Sequence, residues 1–131
     1  MSIISSIILF IFGNIDFKFK ALLTIMVLDF LTGIFKSYIN KNISSRTCVK
    51  GLIKKFGYLI IVSLASILDR ILSIEDTIRN LTIYSFIFSE MISIIENWGL
   101  MGIKFPKVIL SSLKVLQDKN DTQEINIKKL K

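Results

Sequence analysis

Histidine is absent from this 131-residue chain, which has one cysteine, Cys48, and one proline, Pro106. A single cysteine excludes an internal disulfide framework. Without histidine there is no Cys/His zinc cluster and no catalytic triad that uses a histidine base. We therefore predict that the chain is not an enzyme and has no cofactor, metal ion or small-molecule substrate. The length allows one domain, residues 1–131, because domains typically have about 100–200 residues.

Charged residues are also scarce within three long apolar runs, at 21–35, 56–68 and 81–95. Of all residues 52% are hydrophobic, and the mean hydropathy is +0.62. With its flanks, each run reaches the roughly 20 residues that a membrane-spanning helix needs. A soluble bundle is the alternative, but so short a chain cannot surround three helices that are apolar on every side. The sequence therefore predicts an all-α integral membrane protein.

Three transmembrane helices and a short membrane-associated N-terminal helix make up the predicted architecture. The segments are an N-terminal helix in 1–15, a first span at 19–39, a cytoplasmic lead-in and second span at 45–74, a third span at 78–101 and a cytoplasmic tail at 104–131. The N-terminal stretch is uncharged but short, and Ser2, Ser5 and Ser6 fall on one helical side. Such a helix is expected at the membrane interface, with a fourth span as the alternative.

Capping residues precede the second and third predicted spans: Ser44 or Ser45, and Asp76 or Thr77. After the third span, Gly99 and Gly102 interrupt the helical pattern, and Pro106 predicts the first turn of a short final helix. From Gln117 onward the residues are mostly polar or charged, which predicts a soluble tail.

The charge distribution predicts the orientation in a bacterial cytoplasmic membrane. Residues 36–55 contain six Lys and Arg and no acid, and the tail 104–131 contains seven Lys against three acids. Residues 69–80 contain two Arg against three acids. Because basic loops stay in the cytoplasm, the 36–55 loop and the C-terminus are expected inside. The net charge of +7 thus has an explanation without nucleic acid, and no nucleic-acid partner is expected.

Polar residues within the spans are the candidate functional residues. They are Asp29, Thr32, Gly33 and Lys36 in the first span, Ser63, Ser66 and Arg70 in the second, and Ser89, Glu90, Ser93, Glu96 and Asn97 in the third. A carboxylate in the centre of a membrane costs about 2.5–3.5 kcal/mol and needs a partner, a proton or water. We expect these polar strips to make contacts between subunits or to line a water-filled path.

Each strip also has a plainer interpretation. A single Ser, Thr or Gly in a membrane helix most often makes a packing contact. Asp69 and Arg70 lie near the end of a span, so their side chains can extend to water. Cys48 is predicted to lie in the reducing cytoplasm and to be inert.

Several sequence blocks occur in a familiar order. They are DFLTGIFK at 29–36, Ser44-Ser45, KGLIKK at 50–55, SEMISIIEN at 89–97 and GIKFPK at 102–107. In this order they resemble the phage holin family that includes the holin-like proteins of toxin-secretion loci. The resemblance covers about residues 20–119. It departs from the family at Phe105, where a second proline is common, and in a shorter N-terminus.

The resemblance implies a small protein that accumulates in the cytoplasmic membrane and forms homo-oligomers. It implies a lesion through which a muralytic enzyme or a large secreted toxin leaves the cell. We expect Asp29, Glu90 and Glu96 to line or seal the subunit contacts, and Thr32-Gly33 to allow close helix approach. The alternatives are an antiholin or accessory membrane subunit without its own pore, and a small ion or proton channel.

Overall fold

A computed structural model describes residues 2–130, except for the side chains at positions 120, 123, 124 and 127. Five helices follow one another: α1 (Ile3–Phe12), α2 (Phe17–Ile39), α3 (Ser45–Ile71), α4 (Thr77–Leu100) and α5 (Lys107–Lys129). Residues 2–130 contain no strand. The predicted fold class, with three long apolar helices and a short N-terminal helix, is confirmed.

Three helices, α2, α3 and α4, are long and apolar enough to cross a membrane. α1 has 10 residues and is therefore about 15 Å long, half of the roughly 30 Å hydrocarbon layer. It is too short for the alternative of a fourth span. None of its residues is buried in the subunit, so its apolar side chains are available to lipid.

The membrane helices pack around α4, which contacts α2, α3 and α5 and has its largest interface with α2. The apolar core consists of Phe19, Leu22, Met26, Val62 and Ile83. In each membrane helix only 17% of the most apolar 18-residue stretch is buried inside the subunit. Apolar side chains therefore cover most of the outer surface, as expected for helices that are solvated by lipid.

The chain reverses at both ends of the bundle. Residues 40–44 join α2 to α3, and residues 72–76 join α3 to α4; these loops define the 40–44 end and the 72–76 end of the bundle. Ser44 caps α3, as predicted, by accepting a hydrogen bond from the Thr47 N–H at 3.1 Å.

Asp69 supplies the side-chain cap of α4. The residue at the N-cap position is Asp76, one of the two predicted, but its side chain makes no capping bond. Instead, the buried Asp69 carboxylate accepts hydrogen bonds from the backbone N–H groups of Ile78 and Arg79 at 3.0 and 2.9 Å. Asp69 therefore ties the end of α3 to the start of α4, and its side chain does not extend to water.

Arg79 is fully buried at the 72–76 end and holds the segment between α1 and α2. Its guanidinium donates to the carbonyl oxygens of Phe12 at 2.7 Å and Asn14 at 2.5 Å. It also lies 3.3 Å from the Asp16 carboxylate. These contacts fix the turn that leads from α1 into α2.

Two features of the turn itself fit this arrangement. Gly13 has a φ of 74°, and a Cβ atom there would lie 3.0 Å from the Ser66 Oγ, so the position favours glycine. Burial alone would raise the pKa of Asp16, but the Phe19 N–H and the Arg79 guanidinium outweigh it and lower that pKa below its usual range. Asp16 therefore stays ionised beside Arg79 at neutral pH.

The final helix is longer than the sequence predicts. α5 begins directly after Pro106, as expected, but it continues past Gln117 to Lys129. No Gly or Pro follows Pro106, so nothing in the sequence breaks the helix. The buried Leu113 also helps to hold α5, which packs against α4.

We expect Arg79→Met to lower the free energy of unfolding by at least about 2 kcal/mol. The substitution removes the hydrogen bonds from the charged guanidinium to the Phe12 and Asn14 carbonyls and its ion pair with Asp16. A hydrogen bond to a charged group contributes about 1.5–3 kcal/mol. The measurement is SDS-induced unfolding in mixed micelles, followed by circular dichroism. Arg70→Met is the matched control, because Arg70 lies at the same end but is exposed. Equal losses from both variants would contradict this role of Arg79.

Candidate functional site

Three charged side chains from three different helices meet inside the bundle. The Lys55 Nζ atom on α3 lies 2.7 Å from the Asp29 Oδ2 atom on α2, and it also donates to the Glu90 Oε2 atom on α4. The exposed fractions of the side chains are 11% for Lys55, 14% for Asp29 and 2% for Glu90. We call these three residues the ion cluster.

A neutral layer extends the ion cluster towards the 40–44 end. The Asn97 side-chain amide donates to the Thr32 hydroxyl at 3.1 Å and to the Asp29 carboxylate at 3.3 Å. The Thr32 hydroxyl in turn donates to the Asp29 carbonyl at 3.0 Å. A Cβ atom at Gly33 would lie 3.8 Å from the Asn97 amide nitrogen, so α2 and α4 are close at this point. These contacts orient the Asp29 side chain.

All three charged residues lie at one depth. Asp29 and Glu90 are each ten residues before the last residue of their helix, and Lys55 is ten residues after the first residue of α3. At 1.5 Å per residue this is about 15 Å from the 40–44 end, which is close to the middle of a bilayer. Two carboxylates share one ammonium group there, which leaves one negative charge uncompensated. At this depth such a charge is costly without water or a proton.

A polar cleft leads to the ion cluster. It has a volume of about 220 Å³ and runs between α2, α3 and α4. Asp29 and Lys55 line its deep part, and Ser37, Thr47 and Cys48 line its part near the 40–44 end. The cleft therefore extends from the ion cluster towards the 40–44 end of the bundle.

The structure brings together five of the residues that the sequence predicts as functional: Asp29, Thr32, Gly33, Glu90 and Asn97. Ser93 lines the cleft beside them. Ser66 and Arg70 lie together at the opposite end, where the Arg70 guanidinium donates to the Ser66 hydroxyl at 3.3 Å. Of the remaining predicted residues, Lys36 and Ser63 are half-buried, and Ser89 and Glu96 are exposed on α4.

Two residues on which the bundle depends, Lys55 and Arg79, are not among the predicted site residues. Both fall within predicted helical segments, 45–74 and 78–101, and the structure places them within α3 and α4, but in the sequence they count only as charges that set the orientation. Helical spacing could have identified Lys55, because it falls on the same side of α3 as the buried Val62 and Ser66, 7 and 11 residues later. The same argument places Arg79 on the side of α4 that buries Ile83 and Glu90.

We expect Lys55→Met to destabilise the bundle by about 3–5 kcal/mol, because it leaves two buried carboxylates without a cation. The combined variant Asp29→Asn, Lys55→Met and Glu90→Gln should regain most of this loss, since no buried charge remains. Unfolding in mixed micelles measures both effects. Lys54→Met is the control, because Lys54 is the exposed neighbour of Lys55. Lys55→Met with the stability of Lys54→Met would contradict a structural role for the cluster.

Comparison with known proteins places the chain in a family. The model of the bacteriophage holin family matches residues 6–118. An uncharacterized protein of Listeria innocua, Lin0175, is 33% identical over 115 residues, which cover 88% of this chain and 82% of that protein. An uncharacterized 14.9 kDa protein in the nagH 3' region of Clostridium perfringens is 36% identical over 110 residues, covering 83% of each chain.

A third relative has a functional name. The protein named "Probable holin" of Bacillus phage phi105 is 29% identical over 112 residues, which cover 86% of this chain and 82% of that protein. No solved structure matches the chain. The family match includes the five residues that the structure brings together and all three membrane helices. On these grounds the chain is a multi-pass membrane protein that belongs to the bacteriophage holin family.

Proposed function

We propose that this chain oligomerises in the bacterial cytoplasmic membrane and, without catalysis, opens a lesion through which a muralytic enzyme or a large toxin leaves the cell. Its family and the name of its phage relative support a holin-like role. The observation that carries the proposal further is a polar side of α4 that the folded subunit leaves uncovered.

Two pairs of polar residues, each pair seven residues apart, run along α4 on adjacent sides. Glu90 and Asn97 are buried and make the contacts with Lys55 and α2 described above. Ser89 and Glu96 are exposed and within about 20° of each other around the helix, and Glu96 also borders the groove between α4 and α5. A serine and a carboxylate directed at hydrocarbon would be costly, so this second side favours contact with a neighbouring subunit or with water.

This arrangement divides the polar residues into two roles. Asp29, Glu90 and Asn97 act within one subunit and hold its three helices together. Ser89 and Glu96 act between subunits and face either the next copy or the lumen of the lesion. The division replaces the expectation that Asp29 and Glu90 line the subunit contacts, because both side chains are largely buried against α3.

The proposed orientation places the 40–44 end and α5 on the cytoplasmic side. Residues 36–55 carry six basic residues and no acid, and the positive-inside rule retains such a loop in the cytoplasm. One of the six, Lys55, lies inside the bundle. Without it the segment still has five basic residues and no acid, so its net charge remains positive. The 72–76 end with its three acids then faces outward.

Lysis that requires two components is the expected result in living bacteria. The chain is induced together with a muralytic enzyme that lacks a signal sequence, and turbidity and enzyme release are followed. Because the enzyme reaches the cell wall only through a lesion of protein size, abrupt lysis should occur only when both proteins are present. Depolarisation without enzyme release would instead indicate a small ion channel, and intact, polarised cells would indicate an accessory or inhibitory subunit.

Cross-linking tests the exposed side of α4 directly. In a Cys48→Ala background, Ser89→Cys should give disulfide-linked dimers in membranes treated with an oxidant, because the serine lies at the proposed subunit contact. Ile61→Cys is the control, since Ile61 is an exposed apolar residue of α3. Dimer yields are compared on non-reducing gels. Equal yields from the two positions would contradict a subunit contact at Ser89.

A further inference from the structure

The polar cleft and the ion cluster together suggest a binding site for a proton. We propose that the cleft is a water-filled vestibule, open only at the 40–44 end, through which the carboxylates of the ion cluster bind and release one proton. The assignment of this end to the cytoplasm rests on the proposed function; the vestibule itself does not.

The cleft has the size and the chemistry to hold water. Its volume of about 220 Å³ accommodates several water molecules, each of which occupies about 30 Å³ in the liquid. A buried water molecule needs two to four polar partners. Four residues with hydroxyl or amide side chains line the cleft together with the apolar Phe30 and Ile34: Ser37, Thr47, Ser93 and Asn97. Hydroxyl and amide groups can donate hydrogen bonds to water and accept them from it.

The charges around the cleft provide the reason for a proton. The charged groups facing it are Asp29 from α2, Lys54 and Lys55 from α3, and Glu90 beside Lys55 from α4. The Lys54 amine lies 5.7 Å from the centroid of the Tyr58 ring and makes no ion pair with the cluster, whereas Lys55 contacts both carboxylates. One carboxylate charge of the ion cluster therefore remains uncompensated at membrane depth.

The proton-transfer step is simple. A hydronium ion in the vestibule gives its proton to a carboxylate oxygen of the Asp29–Glu90 pair and remains as water. The carboxylic acid that forms keeps its place beside Lys55, and the other carboxylate pairs with the ammonium group. The ion cluster is then neutral, which removes the cost of a net charge in a medium of low dielectric constant.

Access is expected from one side only. Between the ion cluster and the 72–76 end lies the apolar core, with Met26, Val62 and Ile83 fully or almost fully buried. The stacked rings of Tyr58 and Phe86, with centroids 4.1 Å apart, add to this barrier. A second groove beside Lys55, between α2 and α3, is lined almost wholly by apolar side chains such as Leu23, Val27 and Phe56, which suits lipid rather than water.

Thiol labelling tests the vestibule. In a Cys48→Ser background, Ser93→Cys is treated with a membrane-impermeant maleimide in inverted vesicles and in right-side-out vesicles. We expect labelling from the cytoplasmic side only. Ile53→Cys is the control at matched depth: Ile53 lies eight residues inside α3 and Ser93 seven residues inside α4, but Ile53 is 65% exposed on the outer surface. It should react at least tenfold more slowly, because a thiol in lipid is little ionised.

Different outcomes of the labelling separate the two proposals. Labelling of Ser93→Cys no faster than that of Ile53→Cys, or from both sides, would overturn the one-sided vestibule. Labelling only from the external side would support the vestibule and overturn the proposed orientation. Neither result depends on whether the cells lyse.

Infrared difference spectroscopy of the purified protein in vesicles tests the proton. Acidification should produce the carbonyl band of a protonated carboxyl group in a dry environment. The combined variant Asp29→Asn, Lys55→Met and Glu90→Gln should lack this band while it retains the bands of the surface carboxyl groups. The same band in the combined variant, or no such band in the native chain, would overturn the proposed proton site.

Discussion

The ion cluster of Asp29, Lys55 and Glu90 sets the register of the three membrane helices. Each residue lies ten positions from the 40–44 end of the bundle, so their side chains meet only when the helices are aligned at that depth. In a lipid environment apolar side chains give little preference for one helix neighbour over another, because lipid tails are equally apolar. A buried charge therefore does what packing alone does poorly: it selects one arrangement, since slippage of one helix leaves a charge without a partner.

A second set of buried polar contacts at the 72–76 end completes the arrangement. Asp69 caps α4 from α3, and Arg79 holds the backbone between α1 and α2. The apolar core lies between the two polar layers. Polar contacts thus fix the subunit at two levels of the bundle. Most of the surface of the three membrane helices is not buried inside the subunit.

The small number of internal contacts is consistent with the function proposed for a member of the holin family. A chain of 131 residues has little interior, and in the proposed function its outer surface has to serve first in lipid and later in an assembly. The two polar sides of α4 have different uses. Glu90 and Asn97 are buried and hold the subunit together, whereas Ser89 and Glu96 are exposed and available to an assembly. The proposed vestibule adds a link between them, since the protonation state of the ion cluster would alter the contacts that hold the subunit together.

Much of the fold could be predicted from the sequence, because it depends on local composition. Apolar runs of sufficient length specify three membrane helices, Ser44 specifies the start of α3, and Pro106 specifies the start of α5. The sequence also indicates that Asp29 and Glu90 need partners, since a lone carboxylate is costly in hydrocarbon. The family resemblance rests on linear blocks of sequence in the same way and is confirmed by the family match.

Only the tertiary structure decided which partners these residues have. Lys55 and Arg79 fall within the predicted helical segments 45–74 and 78–101, but the sequence does not show their partners. In the packed bundle the buried side of α3 brings Lys55 to both carboxylates. The same packing assigns Glu90 to the interior and Ser89 to the exterior, although the two are adjacent in sequence. The physical reason is that the chemical nature of each side chain determines the free-energy cost of burying it, and this can be read from the sequence. The partner that offsets the cost, Lys55, comes from another helix and is 26 residues from Asp29 and 35 from Glu90 along the chain.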